Sequence, residues 1–175
     1  MDQCTHHNCQ HTASMSQTLE EMDFERGPWS AALDGDLNRL SKLLQKVKAD
    51  AVDSSGYSSL HYASRAGHLE VVKYLVAHGA NVNLPTRSNQ SSPLHRACQQ
   101  GHLLVVKFLL QKGADAGSQD SDGCTPLHRA ALANHADICQ LLISQKPQIA
   151  NVFDSRSRLP KDCCSSATLK QLLNA

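Results

Sequence analysis

Apolar residues along this chain come in pairs with helical spacing, and the pairs return at nearly constant intervals. Val71-Val72 followed by Leu75-Val76 places apolar side chains at i, i+1, i+4 and i+5, which is one face of a helix. Val105-Val106 with Leu109-Leu110 is a later copy of it, and Ile138-Cys139 with Leu141-Leu142 follows with its second pair one residue closer. Upstream of each lies a shorter segment: Leu60-His61-Tyr62-Ala63, Leu94-His95-Arg96-Ala97 and Leu127-His128-Arg129-Ala130. The three histidines stand 34 and then 33 residues apart. Ser58, Ser92 and Thr125 sit where a hydroxyl caps the free amides of a first helix. Pro93 and Pro126 take the first helical position, where a missing N–H costs nothing. Gly67 and Gly101 follow as left-handed stops. One such pair of helices cannot bury its own apolar face, whereas stacked pairs can, so the period predicts an all-α solenoid.

Two degenerate copies flank the three regular ones. Trp29-Ser30-Ala31-Ala32-Leu33-Asp34-Gly35-Asp36-Leu37 aligns with the stretch from His61 to Leu69, with Trp29 in the histidine register. Leu159-Pro160-Lys161-Asp162-Cys163-Cys164 and the stretch from Leu169 to Leu173 read as one more helix pair. Terminal units are expected to be atypical because one face meets water. The chain therefore divides into a tail over 1–17 and a repeat domain over 18–175. Repeats are expected near 29–52, 53–86, 87–119 and 120–152, with a degenerate cap over 153–175.

Thr125-Pro126-Leu127-His128 and Gly67-His68-Leu69-Glu70-Val71-Val72 resemble the signature of the ankyrin repeat, and the resemblance runs from Trp29 to about Ala175. It implies a solenoid of about four to five helix–turn–helix repeats with short β-hairpin-like loops. It also implies that His61, His95 and His128 hydrogen-bond the helix-initiating hydroxyl and nearby backbone, and that His68, His102 and His135 order the turn between helices. Two departures mark the local turns: Asn134 replaces the turn glycine, and an extra residue lies between Asn83 and Ser92.

The same resemblance assigns partner binding to hairpin tips and to the exposed face of the first helix. The tips are Ser54, Ser55 and Tyr57, then Asn89 and Ser91, then Ser121, Asp122 and Cys124. The helix positions are Leu33, Asp34, Arg65, Ala66, Gln99, Gln100, Leu132 and Ala133. Tyr62, Arg96 and Arg129 share one repeated position and are expected to form a ladder beside that surface, of residue types frequent at binding hot spots. Arginines in register favour a partner segment carrying Asp or Glu, or a C-terminal carboxylate. Asn83, within Ala80-Asn81-Val82-Asn83 and eight residues after Leu75, matches the pattern of asparaginyl hydroxylase substrates in this family.

Composition narrows the picture. Aromatic residues make up only 4%, so the core is built from Leu, Val, Ile and Ala. A net charge of +1 without a long Lys/Arg run argues against nucleic acid as a partner. No run of eighteen apolar residues suggests a membrane span. Seven cysteines without a paired framework, in a chain with no export signal, point to reduced thiols in the cytosol or nucleus. Cys4, His6, His7, Cys9 and His11 are potential zinc ligands in one short segment, but no second set follows at closed-site spacing, so no metal or cofactor is assigned. No phosphate-cradling glycine loop, nucleophile elbow or HExxH helix appears, which leaves no enzyme to name. The expected function is a non-catalytic protein-interaction module, an adaptor or inhibitor; the alternative is a metal- or redox-responsive protein that uses the N-terminal Cys/His segment.

Overall fold

The computed structural model describes Phe24 and residues 26–173, and the Cys4-to-His11 segment lies outside them. Ten α-helices among these residues form successive pairs. Helix α1 (Pro28–Asp34) pairs with α2 (Leu37–Leu44), α3 (Ser59–Ala66) with α4 (Leu69–Ala77), and α5 (Pro93–Gln100) with α6 (Leu103–Gln111). Helix α7 (Pro126–Leu132) pairs with α8 (Ala136–Gln145), and a 3-10 turn (Pro147–Asn151) leads to α9 (Pro160–Cys163) and α10 (Ala167–Leu172). First helices stack in the order α1, α3, α5, α7, α9, while α4, α6 and α8 form a looser second layer.

The core runs between the two layers. Leu60, Leu94 and Leu127 from the first helices, and Leu75, Leu109 and Leu142 from the second, are wholly buried. Each contributes about 2 kcal/mol of apolar transfer free energy, and each is shared with a neighbouring unit.

Two histidine series join the units. Nδ1 of His61, His95 and His128 accepts the backbone N–H of Ser58, Ser92 and Thr125, each at 3.2 Å, and faces the same residue's hydroxyl at 2.8–2.9 Å. The opposite nitrogen, Nε2, reaches a carbonyl of the next unit: Ser91 at 3.1 Å, Cys124 at 3.0 Å and Arg158 at 3.2 Å. A carbonyl only accepts, so Nε2 carries the proton and the ring is neutral. Burial favours that state, lowering the His61 pKa to about 4 and moving His95 and His128 the same way.

The second series points backwards. His68 Nε2 donates to Leu33 O and His102 Nε2 to Arg65 O, each at 2.9 Å. These rings lie against the preceding unit's stop glycine, where a Cβ on Gly67 would come within 2.4 Å of His102.

Three local features depart from the simple pattern. Trp29 is half-buried, unlike the motif histidines, and its indole Nε1 donates to Ala51 O at 3.0 Å. Asn134 adopts the left-handed φ of 60° in place of glycine. Its side chain donates to Ser165 Oγ at 3.0 Å and accepts from the Ser165 and Ser166 amides at 3.2 and 3.1 Å, tying the cap to the last full unit. The extra residue falls in the second hairpin: Thr86 N donates to Ser91 O, five residues on, whereas Asp53 pairs with Tyr57 and Asp120 with Cys124, four on. Gln90 absorbs the addition at φ 53°.

Candidate functional site

Each hairpin is built on a buried polar residue at its entry: Asp53, Thr86, Asp120 and Asp154. Asp53 Oδ1 accepts from Tyr57 N at 2.8 Å, and Asp120 Oδ1 from the amides of Asp122 and Cys124, each at 3.0 Å. Asp154 Oδ1 likewise takes the Arg156 and Arg158 amides at 2.9 Å. Thr86 does the same with its hydroxyl, which accepts from Ser91 N at 3.1 Å and donates to Asn89 Oδ1 at 2.6 Å. These residues recur at the repeat spacing, eight or nine residues before each motif histidine, and that recurrence is a signal present in the sequence.

The other carboxylate oxygen, Oδ2, binds the repeated first-helix position. Tyr62 OH donates to Asp53 Oδ2 at 2.6 Å, and Arg129 Nε donates to Asp120 Oδ2 at 2.8 Å. Arg129 also pairs with Asp122 at 2.8 Å. Burial, and next the bond to Asp53, push the Tyr62 phenol up, so it stays neutral. Arg96 donates to Tyr57 OH and to Asn89 Oδ1, and its guanidinium lies 5.1 Å from the Tyr57 ring centroid. Tyr62, Arg96 and Arg129 thus occupy equivalent places, half-buried, and each braces a hairpin. They support the surface more than they project from it.

What does project lies one turn further along each first helix. Arg65, Gln100 and Leu132 are exposed, with Gln99 half-buried between them, and Leu132 keeps 52% of its surface open. Tyr57 and Asn89 are half-buried and Asp122 is exposed, whereas Ser91 and Cys124 are buried and are not tip residues. Both belong to the hairpin's second arm, where Ser91 O and Cys124 O receive the motif histidines. Beyond Leu132 the face ends in a cavity of about 270 Å³ with Arg156, Arg158 and Cys163 in its wall.

Asn83 is exposed. Its side-chain amide donates to Gly113 O at 3.0 Å and its Oδ1 accepts from Asp115 N at 2.9 Å, which links consecutive repeats. Among the described residues no group of three His, Cys, Asp or Glu is placed to hold a metal ion. Burial pushes the Cys124 thiol up to about 11 and the Cys139 thiol up to about 12, far from the range of a reactive thiolate. No helix among the described residues is long and apolar enough to cross a membrane.

Comparison with known proteins agrees with this architecture. The family model for ankyrin repeats matches residues 29–120, 86–154 and 105–168. Ankyrin repeat domain-containing protein 39 of Homo sapiens is 51% identical over 82 residues, which is 45% of this chain and 45% of that protein. The Bos taurus protein of the same name is 58% identical over 64 residues, 34% of this chain and 35% of that protein. Protein phosphatase 1 regulatory subunit 27 of Mus musculus is 35% identical over 112 residues, 63% of this chain and 51% of that protein. The matched stretch therefore spans less than half the length of the human and bovine relatives. With stacked helix pairs, neutral bridging histidines and a family match over most of its length, the chain belongs to the ankyrin-repeat family, whose repeats generally serve protein–protein interaction.

Proposed function

We propose that this chain is a non-catalytic adaptor or inhibitor, acting in the cytosol or nucleus, that holds an extended protein segment along its first-helix face. The observation that carries the reading is the division of labour on that face. Tyr62 and Arg129 are committed to hairpin carboxylates, while Arg65, Gln100 and Leu132 form an outer row that no internal contact requires. A partner segment with acidic side chains opposite Arg65 and Arg96, and an apolar one at Leu132, fits this row.

Affinity purification with the intact chain tests the reading against Arg65→Glu with Leu132→Asp. Both residues are exposed, so the fold should survive the change. Loss of specific partners with an unchanged melting temperature is the expected result; full retention sinks the proposal. Arg129→Glu is a poor control, because it would set a third carboxylate beside Asp120 and Asp122.

Hydroxylation of Asn83 by an asparaginyl hydroxylase belongs to the same proposal. Asn83 is exposed, and its capture as an extended strand requires release of the bonds to Gly113 and Asp115. Mass spectrometry of the Leu75-to-Arg87 peptide after co-expression checks it, with a known ankyrin substrate modified in the same cells. An unmodified peptide ends this part of the reading.

A further inference from the structure

We infer that the cavity between α7 and α9 binds a carboxylate side chain, a glutamate or aspartate of the partner segment, where the last unit has no long ladder residue. The inference rests on the reading that the first-helix face holds an acidic segment, and it fixes where one of those acids goes.

The cavity has a cause in the sequence. Tyr62 and Arg129 stand nine residues after Asp53 and Asp120, and Cys163 stands nine after Asp154. Cys163 is therefore the ladder position of the cap. In the inner units a long side chain spans this space. Tyr62 reaches Asp53, Arg129 reaches Asp120 and Asp122, and Arg96 crosses to Tyr57 of the preceding unit. A thiol ends one bond past Cβ and cannot reach across. About 270 Å³ stays open beside it, walled by Leu132 of α7 and by the hairpin that carries Ser155, Arg156 and Arg158.

The charge in the wall is unbalanced. Asp122 pairs with Arg129 at 2.8 Å and Asp154 with Arg158 at 2.7 Å. Arg158 thus holds the carboxylate oxygen that Tyr62 and Arg129 hold in their own units. Burial lowers the His128 pKa and raises those of Cys124 and Cys163, so none of these three adds charge. Arg156 remains. Its backbone amide is fixed by Asp154 Oδ1 at 2.9 Å, while among the described residues its exposed guanidinium has no partner.

The wall therefore offers a free cation and no free anion. A lysine or arginine entering it would meet Arg156 and find both nearby carboxylates taken. A glutamate meets that guanidinium with its carboxylate and lays its methylenes against Leu132, which is 52% exposed. Leu132 also ends the outer row of the face, so a segment lying along that row arrives at the cavity.

The test titrates N-acetyl-glutamate N-methylamide into the isotope-labelled full-length chain and follows backbone amides by NMR. Saturable shifts at Ser155, Arg156 and Cys163 are expected, with a dissociation constant on the order of 1–10 mM for so small a probe. N-acetyl-glutamine N-methylamide should give none. Arg156→Gln should weaken binding about tenfold. Cys163→Tyr restores a ladder side chain of the kind at Tyr62, fills the space and should abolish binding while Arg156 stays in place. Unfolding midpoints establish that the variants are folded, and Cys163→Met fills the space with less bulk if the tyrosine variant unfolds. The absence of saturable shifts overturns the inference. So does binding that survives the filled cavity, which would be contact with an exposed guanidinium only. Tighter binding of N-acetyl-leucine would assign the site to a chain-terminal carboxylate and overturn the side-chain assignment. If the probe fails while Arg65→Glu with Leu132→Asp still loses its partners, the cavity falls and the face stands. If the probe binds while that variant keeps every partner, the face falls, and with it the partner segment as the source of the acid.

Discussion

The joints between the central repeats and the joints at the two ends meet one requirement with different groups. In the middle, a neutral histidine locked to its own cap sends Nε2–H into the next unit's backbone, wholly shielded from water. At the N-terminal end the half-buried indole of Trp29 donates to Ala51 O, with no cap hydroxyl to orient it. At the C-terminal end His128 still bridges forward to Arg158 O, but no histidine reaches back from the cap, and Asn134 bonds forward to Ser165 and Ser166 instead. The lesson is that a joint needs a donor aimed at a neighbour's backbone. Histidine is required only where both of its nitrogens must be satisfied in the dry.

That difference sets a ranking of consequences. His95→Ala should be the most costly change, about 4 kcal/mol, because it opens a cavity, strands the Ser92 amide and leaves the Cys124 carbonyl with only the Asp120 amide as donor. Trp29→Phe removes one bond at a half-exposed site and should cost only about 1 kcal/mol. Urea unfolding of the two variants compares them directly, and equal losses would break the distinction between inner and outer joints.

Acid should weaken the middle before the ends. His61 has a pKa of about 4 when folded against 6.5 when free, so the unfolded chain takes up the proton first. Its contribution is full above about pH 7 and is lost as pH falls from 6.5 towards 4, reaching about 3 kcal/mol. His95 and His128 shift in the same direction and add to the loss. Trp29 does not titrate. Hydrogen exchange at pH 5 should show protection lost first in α3, α5 and α7; a fall in protection that begins in α1 contradicts this order.

Two glycines with nearly the same φ sharpen the comparison further. Gly67 has φ 82° with His102 pressed against it, while Gly79 has φ 87° with nothing within 4 Å. Gly79→Ala should cost about 1 kcal/mol, the left-handed penalty alone. Gly67→Ala should cost about 3 kcal/mol, since the ring from the next repeat must also move. Matching thermal shifts for both would mean that the backward histidines contribute nothing. The smallest effect belongs to Asn134→Gly, which drops the tether but relieves the left-handed strain, at about 0.5 kcal/mol. It should raise exchange in α10 without disturbing α5.

The helix pairs, their stops and the stacking were legible because each depends on local chemistry repeated at fixed spacing. Ser58, Pro93 and Gly67 declare helix ends wherever they occur. The role of Tyr62, Arg96 and Arg129 was not, because a tyrosine or arginine on a helix reads the same whether it faces water or a hairpin side chain seven or more residues upstream. Ser91 and Cys124 were misplaced for a related reason: a two-armed loop has an exposed tip and a buried return arm, and residue type does not separate them.

The sequence by itself determined the repeat period, the handover from one helix to the next and the identity of the buried leucines, since apolar periodicity and caps act over a few residues. Only the tertiary structure decided which polar groups remain for a partner. Arg129 is spent on Asp120, Arg96 rests on Tyr57 from the preceding repeat, and Arg65 stands open. Whether a charge is neutralised depends on the approach of a second chain segment within about 4 Å, and that separation is fixed by how each hairpin folds back on its own first helix and by packing across repeats.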